Sequence, residues 1–284
     1  MKARWGLLLI VPLCFSAILL LGSQAIFLKA SLFADLGFGK TASVPDLSNY
    51  ALILTDRYYA GTLWLTTYIS LIVAGCCVVF GFPVANILAR MRSHWVGLLL
   101  SMIVLTSFVT TVIQIVGLMI IFRADGPVNQ VLLGLGLADR PFSLIGTVAG
   151  VVVGLVYASF GFAVMLMYSV AKTIPPSLEE AAAVHGASPL RIFTRVVLPL
   201  SLPGVVVGFL TVFNLSMGAF TSAALLGGGR VITLPVLIQR TMLIDVKYGM
   251  AGALAAVLLA FVVILNLMSA AVLNRFRAAR MVAS

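Results

Sequence analysis

Residues that could carry acid–base, nucleophilic or metal chemistry are few in this 284-residue chain, and they avoid its long apolar runs. Charged residues make up 9% of the sequence, and no Asp, Glu, Lys, Arg or His lies near the middle of any such run. His94 and His185 have no partners at metal-ligand spacing, and the three cysteines fit the role of small packing residues. The sequence therefore predicts no enzyme active site, no metal site and no bound cofactor.

Polar side chains within the apolar runs are the remaining candidates for chemistry, and they form two groups at helical spacing. The third run holds Ser107, Thr111 and Gln114 on one face. The fifth run holds Asn214, Met217 and Thr221 on one face, with Phe220 beside them. Such groups could line a path for a polar solute through the membrane. The alternative is that they hydrogen-bond neighbouring helices together, as Ser, Thr, Asn and Gln commonly do in membranes.

Six uncharged runs dominate the chain, in which 62% of the residues are hydrophobic. A helix that spans a bilayer needs about 20 apolar residues, and each run is long enough. The runs are 5–28, 58–89, 95–122, 141–171, 196–229 and 248–274. We predict an all-α integral membrane protein with six transmembrane helices. The first run resembles a signal peptide but exceeds the usual length of its apolar part, so we expect it to be retained.

Basic residues are unevenly shared between the two sides of such a bundle. The side that holds both termini and loops 89–95 and 172–200 has ten basic and two acidic residues, a net of +8. The other side has eight basic and six acidic residues, a net of +2. Because basic residues concentrate on the cytoplasmic side, both termini and loop 172–200 are predicted to be cytoplasmic. This topology and anionic membrane lipid explain the basic character, and we expect no nucleic-acid partner.

The longest polar interruption in the second half of the chain is residues 177–199, here named the elbow segment. Ser177 with Glu180 three residues later predicts a capping box at the start of a helix. Gly186 can adopt the left-handed conformation that ends a helix. The serine before Pro189 then predicts the start of a second helix. The segment is therefore expected to form two short helices that meet at a corner.

The elbow segment resembles the EAA loop of permease subunits of ATP-binding-cassette (ABC) importers, whose pattern is E-A-A-x3-G-x9-I-x-L-P. Val196 replaces the Ile of that pattern, and six residues match it: Glu180, Ala181, Ala182, Gly186, Leu198 and Pro199. In that family the loop is a cytoplasmic coupling helix that docks into a cleft of an ATPase. The resemblance implies that these six residues couple the chain to its ATPase. An ordinary amphipathic connector between two membrane helices is the alternative.

The resemblance also implies partners and a location. It predicts one permease subunit of a type I ABC importer in the bacterial inner membrane, without ATPase activity of its own. The implied partners are two ATP-binding ABC ATPase subunits, an external solute-binding protein and a second permease subunit, by family precedent a different chain. A secondary, ion-coupled transporter is the competing class, since backbone and hydroxyl oxygens can hold sodium without any carboxylate.

A second likeness concerns the solute. Residues 218–228 resemble the Gly-x-Phe-x-x-Pro-x-Leu-Leu-Gly-Gly segment of spermidine/putrescine-type permeases. Ala223 stands in place of the Pro, and Ala219 stands where some polyamine-type members have Asp. The resemblance implies a small polar solute, a polyamine or related compound, delivered by the external binding protein. A non-cationic solute such as an amino-phosphonate or an opine is the alternative.

The predicted domain organisation follows from these assignments. Residues 1–57 form the first transmembrane helix and an external segment, residues 58–275 the permease domain, and residues 276–284 a cytoplasmic tail. Short external helices are expected within 47–59, before Gly134 and within 235–247. Residues 34–41 satisfy a relaxed phosphate-loop pattern, but they lack the preceding buried strand and following helix that such a loop requires.

Overall fold

The computed structural model describes residues 3–37, 39–137 and 140–282, with side chains except at 3–9, 11, 107 and 272–282. The elements in chain order are α1 (Ala3–Ser31), β1 (Phe33–Gly37), β2 (Lys40–Pro45), α2 (Ser48–Thr55), α3 (Arg57–Arg90), α4 (Trp95–Phe108), α5 (Thr111–Ile121), α6 (Pro127–Gly134), α7 (Val148–Thr173), α8 (Ser177–Val184), α9 (Pro189–Ile192), a π-helical turn (Phe193–Val197), α10 (Leu198–Met217), α11 (Thr221–Leu226), α12 (Leu234–Leu243) and α13 (Tyr248–Val282).

Five helical segments of the described chain are long and apolar enough to cross a membrane. They are residues 12–31, 57–90, 148–173, 189–217 and 248–271. Helices α4 and α5 meet at an angle of 94° and are long and apolar enough only when taken together. If they cross the membrane as one broken segment, they form a sixth span. The architecture is therefore that of a multi-pass helical membrane protein, as predicted from the apolar runs.

The third apolar run is not the single helix that we predicted. Val109 and Thr110 are extended, with ψ of 128° and 139°, and they separate α4 from α5. Residues 109–113 are all β-branched, and such side chains lose rotamer freedom in a helix and favour extended backbone. Thr111 and Gln114 therefore lie on a different helix from residue 107, and the continuous polar face expected across this run does not form.

The chain divides into two compact units. The first consists of residues up to 63 and from 234 onward, and the second of residues 64–233, so the boundary falls within α3. In the first unit, β1 and β2 form an antiparallel hairpin, which corrects the all-α prediction. The hairpin joins a strand to a strand, whereas a phosphate loop joins a strand to a helix. Of the motif-like residues, 34–37 and 40–41 lie in the two strands of the hairpin, and residue 38 lies outside the described residues.

A side chain from this hairpin caps the last helix. The two carboxylate oxygens of Asp35 accept the backbone N–H groups of Gly249 and Met250, each at 2.8 Å, in the first turn of α13. A negative charge at a helix N-terminus satisfies free N–H groups and complements the helix dipole. Gly249 permits this close approach, because a Cβ there would lie 2.3 Å from the carbonyl oxygen of Phe33. The hairpin thereby fixes the start of α13.

The second unit is built around α7, which packs most extensively against α10. Val151, Val164 and Met167 on α7 are almost fully buried. Glycines on α10 face α7, and Gly204 comes so close that a Cβ there would lie 2.5 Å from the Cβ of Val170. Small residues of this kind let two membrane helices approach closely, which maximises van der Waals contact where no hydrophobic effect drives association.

The three predicted short helices are confirmed as elements. Helix α2 lies within residues 47–59, α6 ends at Gly134, and α12 covers most of 235–247. Leu237 and Thr241 of α12 are buried. Helix α6 has Pro127 in its first turn, where the missing N–H of proline leaves no helical hydrogen bond unmade.

Candidate functional site

The corner of the elbow segment is formed as predicted, with Gly186 at its apex. Gly186 has a φ of +78° and lies directly beyond the last turn of α8. Its N–H donates to the carbonyl of Ala183 at 2.9 Å, and the N–H of Ala187 donates to the carbonyl of Ala182 at 3.1 Å. These two bonds are those of a Schellman motif, in which a left-handed residue satisfies the last carbonyls of a helix. The chain then turns into α9.

The predicted caps are only partly correct. Helix α8 is capped by the backbone of Pro176 and includes Ser177 as its first residue, so the capping box of Ser177 and Glu180 does not form. Helix α8 thus starts one residue earlier than the serine pattern suggested, with Pro176 at the cap position. Ser188 does occupy the cap position before Pro189, but its hydroxyl makes no capping hydrogen bond.

Pro199 accounts for the unusual junction between α9 and α10. The N–H of Leu198 donates to the carbonyl of Phe193, five residues back, which closes a π-helical turn. Proline within a helix lacks an N–H, and its ring conflicts with the carbonyl four residues before it. A wider turn relieves that conflict, and such π-helical insertions are often found at functional sites. Pro199 thus interrupts the regular helix.

The six residues of the EAA-like pattern lie together on the elbow segment with different exposure. Glu180, Ala181 and Gly186 are exposed, whereas Ala182, Leu198 and Pro199 are half-buried. Two large apolar side chains flank the corner on the outside, Val184 at 86% and Leu190 at 73% exposure. An exposed apolar pair beside a small, alanine-lined surface is suited to contact with another protein.

Arg90 is a partner of the elbow segment that sequence reasoning did not find. Its Nη2 lies 2.6 Å from Oε1 of Glu179, in the first turn of α8. Its Nη1 donates to the carbonyl of Ile174 at 2.8 Å, directly after α7. A cleft of about 460 Å³ lies beside this contact, lined by Glu179, Glu180, Phe193 and neighbouring residues. Nothing in the local sequence pairs residue 90 with residue 179.

The six path candidates are not all brought together. Gln114 lines two cavities, of about 600 Å³ and 260 Å³, and its Nε2 donates to the carbonyl of Thr106 at 2.7 Å across the break between α4 and α5. Thr111 and Phe220 line a third cavity, of about 270 Å³. The remaining three are placed differently: Met217 is fully buried, Asn214 is half-buried, and the side chain of Ser107 lies outside the described residues.

Gln114 therefore has a structural task beside any contact with a solute. The helix break frees carbonyl groups at the end of α4, and a buried polar group without a partner is costly in a membrane. The amide of Gln114 satisfies one of them. Phe220, by contrast, is 39% exposed on the cavity it shares with Thr111.

Comparison with known proteins identifies the family to which this arrangement belongs. Residues 78–278 match the model of the binding-protein-dependent transport system inner membrane component. That range includes the whole elbow segment and all six path candidates. The chain belongs to this family. It is therefore an ABC importer permease and a multi-pass protein of the bacterial inner membrane.

Two relatives are permeases of the same named system. The spermidine/putrescine transport system permease protein PotB of Salmonella typhimurium is 36% identical over 184 residues, which cover 65% of this chain and 64% of that protein. The chain thus matches slightly less than two thirds of the length of this relative. PotB of Haemophilus influenzae is 30% identical over 232 residues, which cover 81% of each protein.

A solved structure shares the fold of this permease. It is the crystal structure of a bacterial ABC transporter involved in the import of the acidic polysaccharide alginate. A chain of that transporter aligns with a TM-score of 0.70 at 22% identity, covering 94% of this chain and 96% of that chain. At this identity the likeness concerns the fold. This chain thus resembles both polyamine permeases in sequence and an alginate transporter in fold.

Proposed function

We propose that this permease forms half of the translocation path of an ATP-driven importer for a polyamine or related small polar solute. The observation that carries the proposal is its similarity to two spermidine/putrescine permeases, one of them along four fifths of both chains. In this proposal an external solute-binding protein delivers the solute. A second permease subunit of different sequence supplies the other half of the path.

The elbow segment is the proposed coupling element. Glu180, Ala181, Ala182 and Gly186 would face the ATPase, with the exposed side chain of Val184 entering its cleft. Leu198 and Pro199 would hold the elbow at the start of α10. Two ATPase subunits that close on ATP would push the two permeases' elbows together and switch the path from inward-open to outward-open. The exposure of the corner and the left-handed Gly186 support this role.

The proposed path runs along the cavities lined by Gln114, Thr111 and Phe220. Asn214 and Met217 lie at the end of α10, before Phe220 at the start of α11, and would lie behind this surface. Ser107 would lie on the other side of the helix break. Among the described residues, the cavity that Thr111 and Phe220 share is lined by no charged side chain. A path of this composition would pass a solute without holding it tightly, so selection would belong to the binding protein.

Solute identity is tested by uptake into vesicles that contain the complete complex. We expect ATP-dependent accumulation of radiolabelled spermidine or putrescine when the cognate binding protein is present. Vesicles without ATP or without the binding protein serve as controls and should accumulate neither. Uptake of a neutral or anionic solute in place of both polyamines would contradict the proposed substrate, while leaving an importer of another solute.

The proposed orientation places the elbow segment and both termini in the cytoplasm and the β1–β2 hairpin outside. The net charge of +8 against +2 supports it, because basic residues are retained on the cytoplasmic side. In a background without the native cysteines, Ser188→Cys should react with an impermeant thiol reagent only in inverted vesicles. Pro45→Cys should react only in intact cells. The reverse pattern would contradict the orientation and, with it, the coupling role.

A further inference from the structure

One guanidinium group connects three helices at the base of the elbow segment. Arg90 is the last residue of α3, its Nη1 donates to the carbonyl of Ile174 at the end of α7, and its Nη2 contacts Glu179 at the start of α8. Close by, Nζ of Lys172 donates to the carbonyl of Ala89 at 3.2 Å, which joins α7 to α3 a second time. The end of α3 is therefore bound both to the end of α7 and to the start of α8, the two helices that flank the loop leading into the elbow segment.

The contact is shielded from water. The side chains of Arg90 and Glu179 are only 19% and 25% exposed. The two atoms that meet, Nη2 and Oε1, are buried and form an ion pair without hydrogen-bond geometry. Ala89 and Ile174 around them are buried as well. Exposed ion pairs contribute little to stability, whereas removing one partner of a shielded pair leaves an uncompensated charge. This pair is therefore expected to hold its geometry.

The chemistry of the site favours arginine over lysine. A guanidinium presents several N–H donors in a rigid, planar fork, so one side chain can donate to a carbonyl while its charge pairs with a carboxylate. A lysine ammonium offers a single point charge on a flexible stem. The charges also fit the helix dipoles, because Glu179 lies at the N-terminal end of α8 and Arg90 at the C-terminal end of α3.

We propose that Arg90 is a positioning residue that sets the angle of the elbow relative to α3 and α7 through Glu179. The elbow then moves as one body with the cytoplasmic end of α3, so that displacement of the elbow reaches the transmembrane helices. The transmission of this movement to the transmembrane helices rests on the proposed function, whereas the positioning of the elbow does not. The EAA-like pattern includes neither Arg90 nor Glu179.

A distance measurement tests the positioning directly. Spin labels are placed at Ile87 on α3 and Leu178 on α8, which are 59% and 43% exposed, in the full chain with its native cysteines replaced. We expect a narrow distance distribution in the otherwise wild-type complex without nucleotide. Arg90→Gln and Glu179→Gln should each broaden or shift it. Arg92→Gln is the matched control, since Arg92 is an exposed neighbour with no ion pair among the described residues.

A coupling measurement tests the transmission. The readout is solute transported per ATP hydrolysed by the complex, using spermidine and its loaded binding protein as the probe. We expect Arg90→Gln and Glu179→Gln each to lower this ratio about ten-fold, equivalent to about 1.4 kcal/mol. The double variant should be no worse than either single variant, because the two residues act through one contact. Arg90→Lys should give an intermediate ratio.

The outcomes separate this proposal from the proposed function. If the distance distributions of Arg90→Gln and Glu179→Gln match that of Arg92→Gln, the positioning role is overturned whatever the transport activity. Altered distances with an unchanged transport ratio would overturn the transmission step. A wild-type complex that does not couple ATP hydrolysis to spermidine transport would refute the proposed function alone. The distances between the spin labels would still decide the role of Arg90.

Discussion

Replacing Gly186 by valine is expected to abolish solute-linked ATP hydrolysis while the permease still inserts into the membrane. Gly186 has a φ of +78°, and a β-branched residue is a strong outlier in that region. Holding a non-glycine residue there costs on the order of 1–3 kcal/mol, so the corner is expected to reorganise. Crowding within the permease is not the cause, because a Cβ at Gly186 would meet nothing within 4 Å in the described part of the chain.

Two controls separate backbone conformation from the mere addition of a side chain. Gly186→Asn should keep most of the activity, since asparagine visits the left-handed region more readily than other side chains. Gly97→Val should behave almost like the wild type, because Gly97 lies in a helix with open space around it and has no positive φ. Transport and ATP hydrolysis are measured together in reconstituted vesicles. Normal coupling in Gly186→Val would contradict the role of the corner.

Local features of this permease could be predicted from its sequence because their causes are local. A run of about 20 apolar residues specifies a spanning helix regardless of its neighbours. The left-handed conformation of Gly186 and the interrupted helix at Pro199 follow from properties of single residues, the lack of a Cβ and the lack of an N–H. The corner of the elbow segment was therefore predictable in outline from residues 177–199 alone.

The features that were missed depend on partners distant in sequence. Asp35 caps α13 from more than 200 positions away. Arg90, at the end of α3, contacts Glu179 in the first turn of α8. No pattern in the neighbourhood of either residue encodes the partner. The break between α4 and α5 is different, because its signal, five consecutive β-branched residues, was present in the sequence. The strongly apolar character of the surrounding run concealed it.

The path candidates show what helical spacing leaves undetermined. Phe220 was predicted to lie beside the face that holds Met217, but Met217 is fully buried whereas Phe220 borders a cavity. Helix α10 ends at Met217, and Gly218 follows it before α11 begins. Spacing describes a face only while the helix continues, and the orientation of that face depends on packing against α7.

Replacing Gly204 by alanine is expected to destabilise the permease more than any other single methyl addition at the α7–α10 contact. The new Cβ would lie 2.5 Å from Cβ and 2.7 Å and 2.8 Å from the two Cγ atoms of Val170. Valine has one strongly preferred rotamer in a helix and cannot turn away. Overpacking of this kind typically costs about 1–3 kcal/mol, and we expect a lower melting temperature in detergent.

Glycines in the same unit provide a graded control series for this prediction. Gly208→Ala should cost less, because its Cβ would lie 3.2 Å from Cγ of Met167, a flexible side chain that can adjust. Gly75→Ala should be neutral or slightly stabilising, since nothing lies within 4 Å and alanine is the better helix former.

A second substitution at the contact tests whether Val170 is the cause. Val170→Ala combined with Gly204→Ala removes the two Cγ clashes but leaves the Cβ contact at 2.5 Å, so stability should return only in part. The interaction between the two changes should then be favourable, whereas changes at sites that do not touch would simply add. Equal melting temperatures for the Gly204, Gly208 and Gly75 variants would contradict close α7–α10 packing, because the effect would then not follow the distances.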